Sequence, residues 1–126
     1  MIDSIGIDIV EVHRIRSAID RWGDRFLHRV YTPWEINYCN GKQFPAQSYA
    51  ARFAVKEAVL KALGTGLNLG IKWKSVEVVN TAMGQPTVRL GEKIQKLIGK
   101  NRIIISMSHT REHAIASAIL VENGKA

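Results

Sequence analysis

The stretch RFAVKEAVLKALGTG, residues 52–66, decides how the rest of this sequence is interpreted. Its apolar residues recur at helical spacing and two glycines follow them, which predicts a helix from about residue 47 to residue 63. Charged residues interrupt the apolar ones at four positions: Arg52, Lys56, Glu57 and Lys61. A function has to explain why so apolar a helix carries four charges.

Two interpretations of these charges remain open from the helix alone. At about 100° per residue, Glu57 and Lys61 share one row, where they would form an exposed pair contributing about 0.2–0.5 kcal/mol. Alternatively, the helix is buried on two sides, and its charges must then be paired or bound to a ligand, because an unpaired buried charge is costly. Arg52 and Lys56 form a second row, and a plain structural contact is the default expectation for Lys56.

A third row of this helix holds only small side chains, at Ala54, Ala58 and Ala62. Small side chains let another backbone approach closely. We therefore expect a neighbouring element to pack tightly along this row.

The segment SIGIDIV alternates between two faces, which predicts a strand over residues 4–10. Its isoleucines point to one side, and Asp8 points to the other. Asp8 is either a solvent-facing edge residue or a carboxylate held rigidly for a ligand. If the strand packs on the helix, Asp8 and Glu57 would form a carboxylate pair of the kind that binds Mg²⁺ together with phosphate oxygens.

The remaining segments predict an α+β fold with helices mostly early and strands mostly late. Residues 11–22 form an amphipathic helix with Arg14 and Arg21 on its far side, and Asp24 can cap a following turn. TPWE, from Thr32, reads as a capping box that begins a helix ending near Asn40. The short helix GEKIQKLIG and four later β-rich runs complete the pattern: KWKSVEVVN, PTVRL, RIIISMSHT and AIASAILVE.

Length and composition narrow the class of protein. The 126 residues fit one domain, 1–126, and a net charge of +7 favours anionic partners. No run of about 18 apolar residues is present, so we expect no membrane insertion. The N-terminus lacks a basic lead, so we expect no signal peptide. The single cysteine, Cys39, for which we expect a structural role, favours a cytoplasmic location.

The charge also fits a small basic nucleic-acid-binding domain, but other features argue against that alternative. Asp8 and Glu57 would repel nucleic-acid phosphates unless a metal intervened, and no helix-turn-helix, aromatic RNA-binding pattern or zinc finger is evident. Common nucleotide-binding and hydrolase motifs are absent as well. His109, in SMSHT at the end of a predicted strand, is either structural or an anion contact.

Four motifs occur in one order along the chain: GIDIVEVHRI, RFAVKEAVLKALGTG, a GQP turn and SMSHT. In this the sequence resembles the holo-[acyl-carrier-protein] synthases, the small bacterial class of 4′-phosphopantetheinyl transferases, over essentially its whole length. The family usually has lysine where Gln85 stands, so the resemblance implies no contact by that one side chain.

The resemblance implies a fold and an activity. The fold is α+β, with helices packed on a small, mostly antiparallel sheet, and the chain assembles as a homotrimer with active sites shared between subunits. These enzymes transfer the 4′-phosphopantetheine arm of coenzyme A to a serine of apo-acyl carrier protein, in fatty acid biosynthesis. They need Mg²⁺ and release adenosine 3′,5′-bisphosphate. Modification of the carrier domain of another, larger synthase is the alternative.

The resemblance also implies roles for individual residues. Asp8 and Glu57 look like the Mg²⁺ ligands, and Lys61 like the lysine at the pyrophosphate. Further contacts with coenzyme A are implied for the loop Gly64–Gly66, the turn Gly84–Pro86 and the side chains Arg52, His109 and Thr110. Glu57, a metal-bound water or another carboxylate remain open as the base that deprotonates the serine.

Acyl carrier proteins are acidic, so the arginines of the first helix offer them a complementary surface. We expect this docking surface to consist of Arg14, Arg21 and Arg25.

Overall fold

The computed structural model describes residues 1–64 and 70–123. Its strands are β1 (Ile2–Glu11), β2 (Val76–Asn80), β3 (Pro86–Leu90), β4 (Arg102–His109) and β5 (His113–Val121). Its helices are α1 (Val12–Trp22), α2 (Asp24–Val30), α3 (Pro33–Asn40), α4 (Pro45–Leu63) and α5 (Glu92–Ile98), with a 3₁₀ turn at Trp73–Ser75. Within the described part of the chain, no helix is long and apolar enough to cross a membrane.

The strands form two antiparallel sheets. The larger has the order β1-β5-β4, and β2 pairs with β3 in a separate hairpin. In the larger sheet Asp8 lies opposite Ala116 on β5, and Ala116 in turn lies opposite Met107 on β4. The small mostly antiparallel sheet with helices on it, predicted from the resemblance, is confirmed.

Helix α4 is the central element of the core. Most of its side chains are buried, including those of Ala54, Ala58 and Ala62. A Cβ placed on Gly6 of β1 would lie 2.0 Å from the Ala58 carbonyl oxygen, so only glycine allows β1 to approach α4 this closely. The predicted close packing along the alanine row is confirmed.

The opposite face of the larger sheet is apolar, and the described residues of the chain leave it exposed. Ile5, Ile7 and Ile9 are 60%, 58% and 64% exposed, because the β1 side chains that face α4 are those of the alternate residues. Ile104 on β4 and Ile115 on β5 continue this face. We call these five residues the isoleucine face.

Helix α3 begins as predicted. Thr32 accepts a hydrogen bond from the Glu35 backbone N–H, and the Glu35 carboxylate accepts one from the Thr32 backbone N–H. Glu35 is fully buried and also lies 2.9 Å from the ammonium group of Lys56. Burial lowers the pKa of Lys56, and the neighbouring Glu35 carboxylate opposes that shift. The structural role expected for Lys56 is therefore confirmed.

Two local predictions differ from the structure. Asp24 is not followed by a simple turn but begins the helix α2, because Leu27 and Val30 bury apolar side chains in the core. Among the described residues Glu57 and Lys61 do not form the expected ion pair, because Lys61 pairs with Asp8 instead. Cys39, for which a structural role was expected, is buried, and burial raises the pKa of its thiol.

Candidate active site

Asp8 and Glu57 line the same pocket, between β1 and α4, with a volume of about 560 Å³. The pocket forms because α4 packs on the face of β1 that carries Asp8 and places Glu57 beside that strand. The other lining residues are Ile9, Val10, Glu11, Arg14, Ile15, Phe53 and His113. The structure thus brings together the two carboxylates that the sequence proposed as a pair.

Each carboxylate is held by one donor. The Lys61 ammonium donates to Asp8 Oδ1 and to the Ile7 carbonyl oxygen, both at 3.0 Å. The Trp73 indole N–H donates to Glu57 Oε2 at 2.7 Å. Among the described residues these hydrogen bonds engage one oxygen of each carboxylate and leave the other available to a ligand.

Trp73 is a site residue that the sequence did not reveal. It lies in the 3₁₀ turn before β2, sixteen residues after Glu57. Its backbone carbonyl also accepts a hydrogen bond from the buried Lys56 ammonium. Its position depends on tertiary packing, and nothing in its local sequence signals the contact with Glu57.

The two carboxylates of the pocket fit Mg²⁺ better than they fit a metal that is coordinated entirely by protein side chains. The described residues contain no group of three or more His, Cys, Asp or Glu side chains that could hold a metal ion. Mg²⁺ commonly takes only one or two carboxylates and completes its shell with water and substrate phosphate oxygens. Asp8 and Glu57 fit that pattern, and Lys61 beside Asp8 supplies positive charge for phosphate.

Arg52 and His109 line a second pocket, of about 320 Å³, on the opposite side of α4. Asp8 lies on β1 and His109 at the end of β4, and these are the two edges of the three-stranded sheet that α4 covers. The remaining lining residues are Tyr38, Lys42, Gln43, Phe44, Gln47, Ser48, Ala51 and Met107. Within one chain, the two predicted groups of site residues therefore occupy different pockets.

Arg52 is 2% exposed, and its partners among the described residues are neutral. Its guanidinium lies 4.3 Å from the Tyr38 ring centroid and donates to Asn80 Oδ1 at 2.6 Å and to Ser48 Oγ at 3.4 Å. Its Nε–H has no partner, and no carboxylate pairs with it among the described residues. A buried cation in this state is a candidate anion site.

The predicted binding turns are described in part. Gly84, at φ +85°, lies in the turn between β2 and β3, and Pro86 begins β3. Gly64 ends α4 in the left-handed conformation, whereas Gly66 lies outside the described residues. The Thr110 hydroxyl accepts hydrogen bonds from backbone N–H groups of the β4–β5 turn, so it shapes the turn beside His109.

The predicted docking arginines lie on or just beyond α1. Arg14 is exposed and lines the Asp8–Glu57 pocket. The Arg21 guanidinium stacks on Trp22 at 5.1 Å, and Arg25 shares a shallow pocket with that ring. The surface therefore begins at the candidate active site and leads away from it.

Comparison with known proteins gives the class of this chain. Residues 4–118 match the family model of the 4′-phosphopantetheinyl transferase superfamily. The chain therefore belongs to that superfamily, as its motifs predicted.

Individual relatives point to one branch of the superfamily. The chain is 48% identical over 123 residues to the holo-[acyl-carrier-protein] synthase of Koribacter versatilis, covering 95% of this chain and 98% of the relative. Its fold matches the Bacillus anthracis synthase in complex with coenzyme A (3′,5′-ADP), with a TM-score of 0.82, 33% identity and coverage of 98% and 99%. The Helicobacter pylori synthase in complex with coenzyme A matches with a TM-score of 0.83, 31% identity and coverage of 92% and 98%. The predicted resemblance to these synthases is confirmed.

Proposed function

We propose that this protein is a holo-[acyl-carrier-protein] synthase. It transfers 4′-phosphopantetheine from coenzyme A to a serine of apo-acyl carrier protein and releases adenosine 3′,5′-bisphosphate, and the substrate carrier serves fatty acid biosynthesis. The observation that carries this proposal is the pocket in which Asp8 and Glu57 meet and Lys61 contacts Asp8. Its similarity to synthases solved with coenzyme A supports the choice of donor.

Mg²⁺ would be held by Asp8 and Glu57, whose donor chemistry fits this ion and whose second oxygens are available. When bound, Mg²⁺ neutralises negative charge on phosphate oxygens. Lys61 has a second task besides holding Asp8, because its ammonium places a further positive charge where the pyrophosphate would lie. Trp73 fixes the direction of the Glu57 carboxylate.

The reaction needs no nucleophile from this chain. The serine oxygen of the carrier attacks the β-phosphorus of coenzyme A, the new P–O bond forms, and the bond from that phosphorus to the bridging oxygen breaks. The bridging oxygen and its electron pair leave with the adenosine bisphosphate. The serine proton passes to a base in the same pocket, for which the chain offers Glu57, Glu11 and His113.

The second pocket would bind the nucleotide part of coenzyme A. Arg52 and His109 line it, and Lys42 adds positive charge at its rim. Thr110 and the turns at Gly64–Gly66 and Gly84–Pro86 would surround the same ligand. A buried guanidinium without a carboxylate partner supports a phosphate as its counter-ion.

A homotrimer would join the two pockets. The isoleucine face is a large exposed apolar surface, and such surfaces mark interfaces with other proteins. One coenzyme A molecule would then extend from the Asp8–Glu57 pocket of one subunit to the Arg52–His109 pocket of the next. This arrangement explains why α4 separates the two pockets within one chain.

The carrier protein would dock on Arg14, Arg21 and Arg25. Arg14 lines the Asp8–Glu57 pocket, so a carrier on this surface would have its serine close to the carboxylates. Its negative charge would complement the arginines and speed its association.

The function is tested by following the release of adenosine 3′,5′-bisphosphate by chromatography. Release should require coenzyme A, apo-acyl carrier protein and Mg²⁺ together, and it should stop on addition of EDTA and resume with excess Mg²⁺. A carrier whose acceptor serine is replaced by alanine serves as the control. Release that persists with this carrier, or that is indifferent to EDTA, would contradict the proposal.

A further inference from the structure

We propose that Asn80 is a positioning residue for Arg52. Asn80 orients the Arg52 guanidinium through a neutral hydrogen bond and connects it to the turn that contains Gly84. Asn80 is the last residue of β2 and lies outside the lining of both pockets described above. The inference rests on the proposed function, because it assigns the ligand of Arg52 to a phosphate of coenzyme A.

Arg52 carries its positive charge inside the protein. A guanidinium stays protonated even when buried, so its positive charge cannot be removed by deprotonation. Ser48, Asn80 and the Tyr38 ring stabilise this charge without cancelling it. No carboxylate among the described residues neutralises this charge, so the site favours an anion, and the buried Nε–H has no hydrogen-bond partner among those residues.

The orientation of the Asn80 amide follows from its two partners. Arg52 can only donate a hydrogen bond and the Gly84 carbonyl can only accept one. Asn80 Oδ1 therefore accepts from Arg52 Nη2 at 2.6 Å, and Nδ2 donates to the Gly84 oxygen at 3.0 Å. An amide satisfies both partners at once, whereas an ionised aspartate can satisfy only the first.

The second contact links Arg52 to a defined turn. The Gly84 N–H donates to the Thr81 carbonyl, and the Thr81 N–H donates to the Gln85 carbonyl, each at 2.8 Å. Gly84 holds a φ of +85°, which favours glycine, so the carbonyl that meets Asn80 is presented by a constrained backbone. Asn80 thus joins two sequence-distant parts of the predicted cofactor site into one unit.

On the proposed function, the ligand group of Arg52 is a phosphate monoester. The pyrophosphate of coenzyme A belongs to the Asp8, Glu57 and Lys61 side of α4 in the proposed function. The phosphate that remains is the 3′-phosphate of the ribose. It is a dianion that accepts paired hydrogen bonds from a guanidinium, which makes the angle of the Arg52 plane decisive for its binding.

Two substitutions separate positioning from a structural role. Asn80→Ala removes both hydrogen bonds, whereas Asn80→Asp keeps the contact with Arg52 and turns it into an ion pair. In Asn80→Asp the carboxylate competes with the phosphate for the guanidinium, so ligand binding should weaken even though the ion pair holds Arg52 in place. A merely structural role predicts instead that binding weakens only in a variant whose melting temperature also falls.

The measurement is calorimetric binding of coenzyme A and of dephospho-coenzyme A, which lacks the 3′-phosphate, in the presence of Mg²⁺. We expect each Asn80 variant to raise the Kd for coenzyme A about tenfold, the size of one hydrogen bond to a charged group. The Kd for dephospho-coenzyme A should stay within about twofold of wild type. In transfer assays KM for coenzyme A should rise while kcat stays nearly constant.

Asn101→Ala is the matched control, because Asn101 also holds a backbone group through its amide but lies at the far end of β4 from His109. It should change neither Kd. Equal weakening of both ligands by the Asn80 variants, or no weakening at all, would overturn the inference. If the proposed function were wrong, the result would be different: the wild-type protein itself would not transfer phosphopantetheine.

Discussion

At the scale of single residues, the candidate active site depends on two carboxylates and the donors that hold them. Glu57 receives the Trp73 indole N–H at 2.7 Å, and Asp8 receives the Lys61 ammonium at 3.0 Å. A directed donor fixes which oxygen of each carboxylate is left for a ligand. Outer partners of metal ligands typically contribute 10–100-fold to affinity or activity.

This geometry predicts a graded series of variants. Asp8→Ala and Glu57→Ala should nearly abolish transfer, because each removes a proposed Mg²⁺ ligand. Trp73→Phe should lower transfer about tenfold and raise the Mg²⁺ concentration needed for half-maximal rate, because it removes only the N–H donor. Initial rates measured against Mg²⁺ concentration test both effects.

Trp34→Phe is the control for this series, because Trp34 stacks on Tyr38 and has no contact with either carboxylate. The Mg²⁺ concentration that gives half of its maximal rate should match wild type, even if its contact with Tyr38 alters the maximal rate. Near-wild-type transfer by either alanine variant would contradict the metal site. An unchanged Mg²⁺ requirement in Trp73→Phe would contradict the role of the indole.

The sequence predicted these residues unevenly. Asp8 and Glu57 could be predicted, because a charge inside an apolar periodic pattern is visible in the local sequence. Trp73 and Asn80 were not, since their contacts with Glu57 and Arg52 depend on how β2 and the 3₁₀ turn meet α4. The structural role of Lys56 was expected, but its partner Glu35 was recognised only as a capping residue.

At the scale of elements, the contact between β1 and α4 places Asp8 next to Glu57. Gly6 makes this contact possible, since any Cβ there would overlap the α4 backbone at Ala58 and Ala62. Backbone atoms cannot move aside as a flexible side chain can. The distance between strand and helix is therefore set by one glycine two residues before Asp8.

We predict that Gly6→Ala destabilises the protein by about 1–3 kcal/mol or more, as overpacking does in other cores. It should also lower transfer, because β1 must move away from α4 and carry Asp8 with it. Urea unfolding and transfer rates measure the two effects.

Gly41→Ala is the matched control for this substitution. Its added Cβ would meet nothing closer than the Tyr38 carbonyl oxygen at 3.5 Å, at a φ of −82°. We expect little change in stability or in rate. Equal stability of Gly6→Ala and wild type would contradict the close-packing account.

Most elements were predictable from local patterns, and the exceptions have physical causes. The capping box of α3 and the glycine end of α4 are encoded within a few residues, and the structure confirms both. Helix α2 was missed, because its seven residues are too few to establish a helical period before Thr32 begins the next helix. The alternation in β1 predicted which residues share each face of the strand. It did not predict which face is covered by α4.

At the scale of the whole molecule, the isoleucine face and the two separated pockets point to the same assembly. The proposed coenzyme A site completed by a neighbouring subunit would explain both, whereas a monomer leaves five large apolar residues exposed and the proposed ligand contacts divided. The uncovered face could not be identified from the alternating pattern in β1 alone.

We predict that Ile7→Glu prevents assembly of the trimer and abolishes transfer while the chain stays folded. The substitution places a charge at the middle of the apolar face, where burial in an interface would be costly. Sedimentation velocity and circular dichroism report assembly and fold. Leu97→Glu, on an exposed position of α5, is the control and should change neither. A variant at Ile7 that assembles and transfers normally would contradict the shared site.

The docking surface gives a prediction about a second partner. Charge reversal at Arg14 and Arg21, both to Glu, should weaken binding of the acidic carrier far more than binding of coenzyme A. The effect should diminish at high salt, since these side chains are exposed. Arg102→Glu, at the start of β4, serves as the control for a change of charge alone. Equal loss of both ligands would argue against docking on α1.

Transfer of phosphopantetheine from coenzyme A to a carrier serine can be observed directly by mass spectrometry of the carrier. Apo-acyl carrier protein incubated with this protein, coenzyme A and Mg²⁺ should gain about 340 Da, the mass of the covalently attached arm. The gain should be absent when the acceptor serine is replaced by alanine. An unmodified wild-type carrier, after incubation with folded protein, coenzyme A and Mg²⁺, would contradict the account.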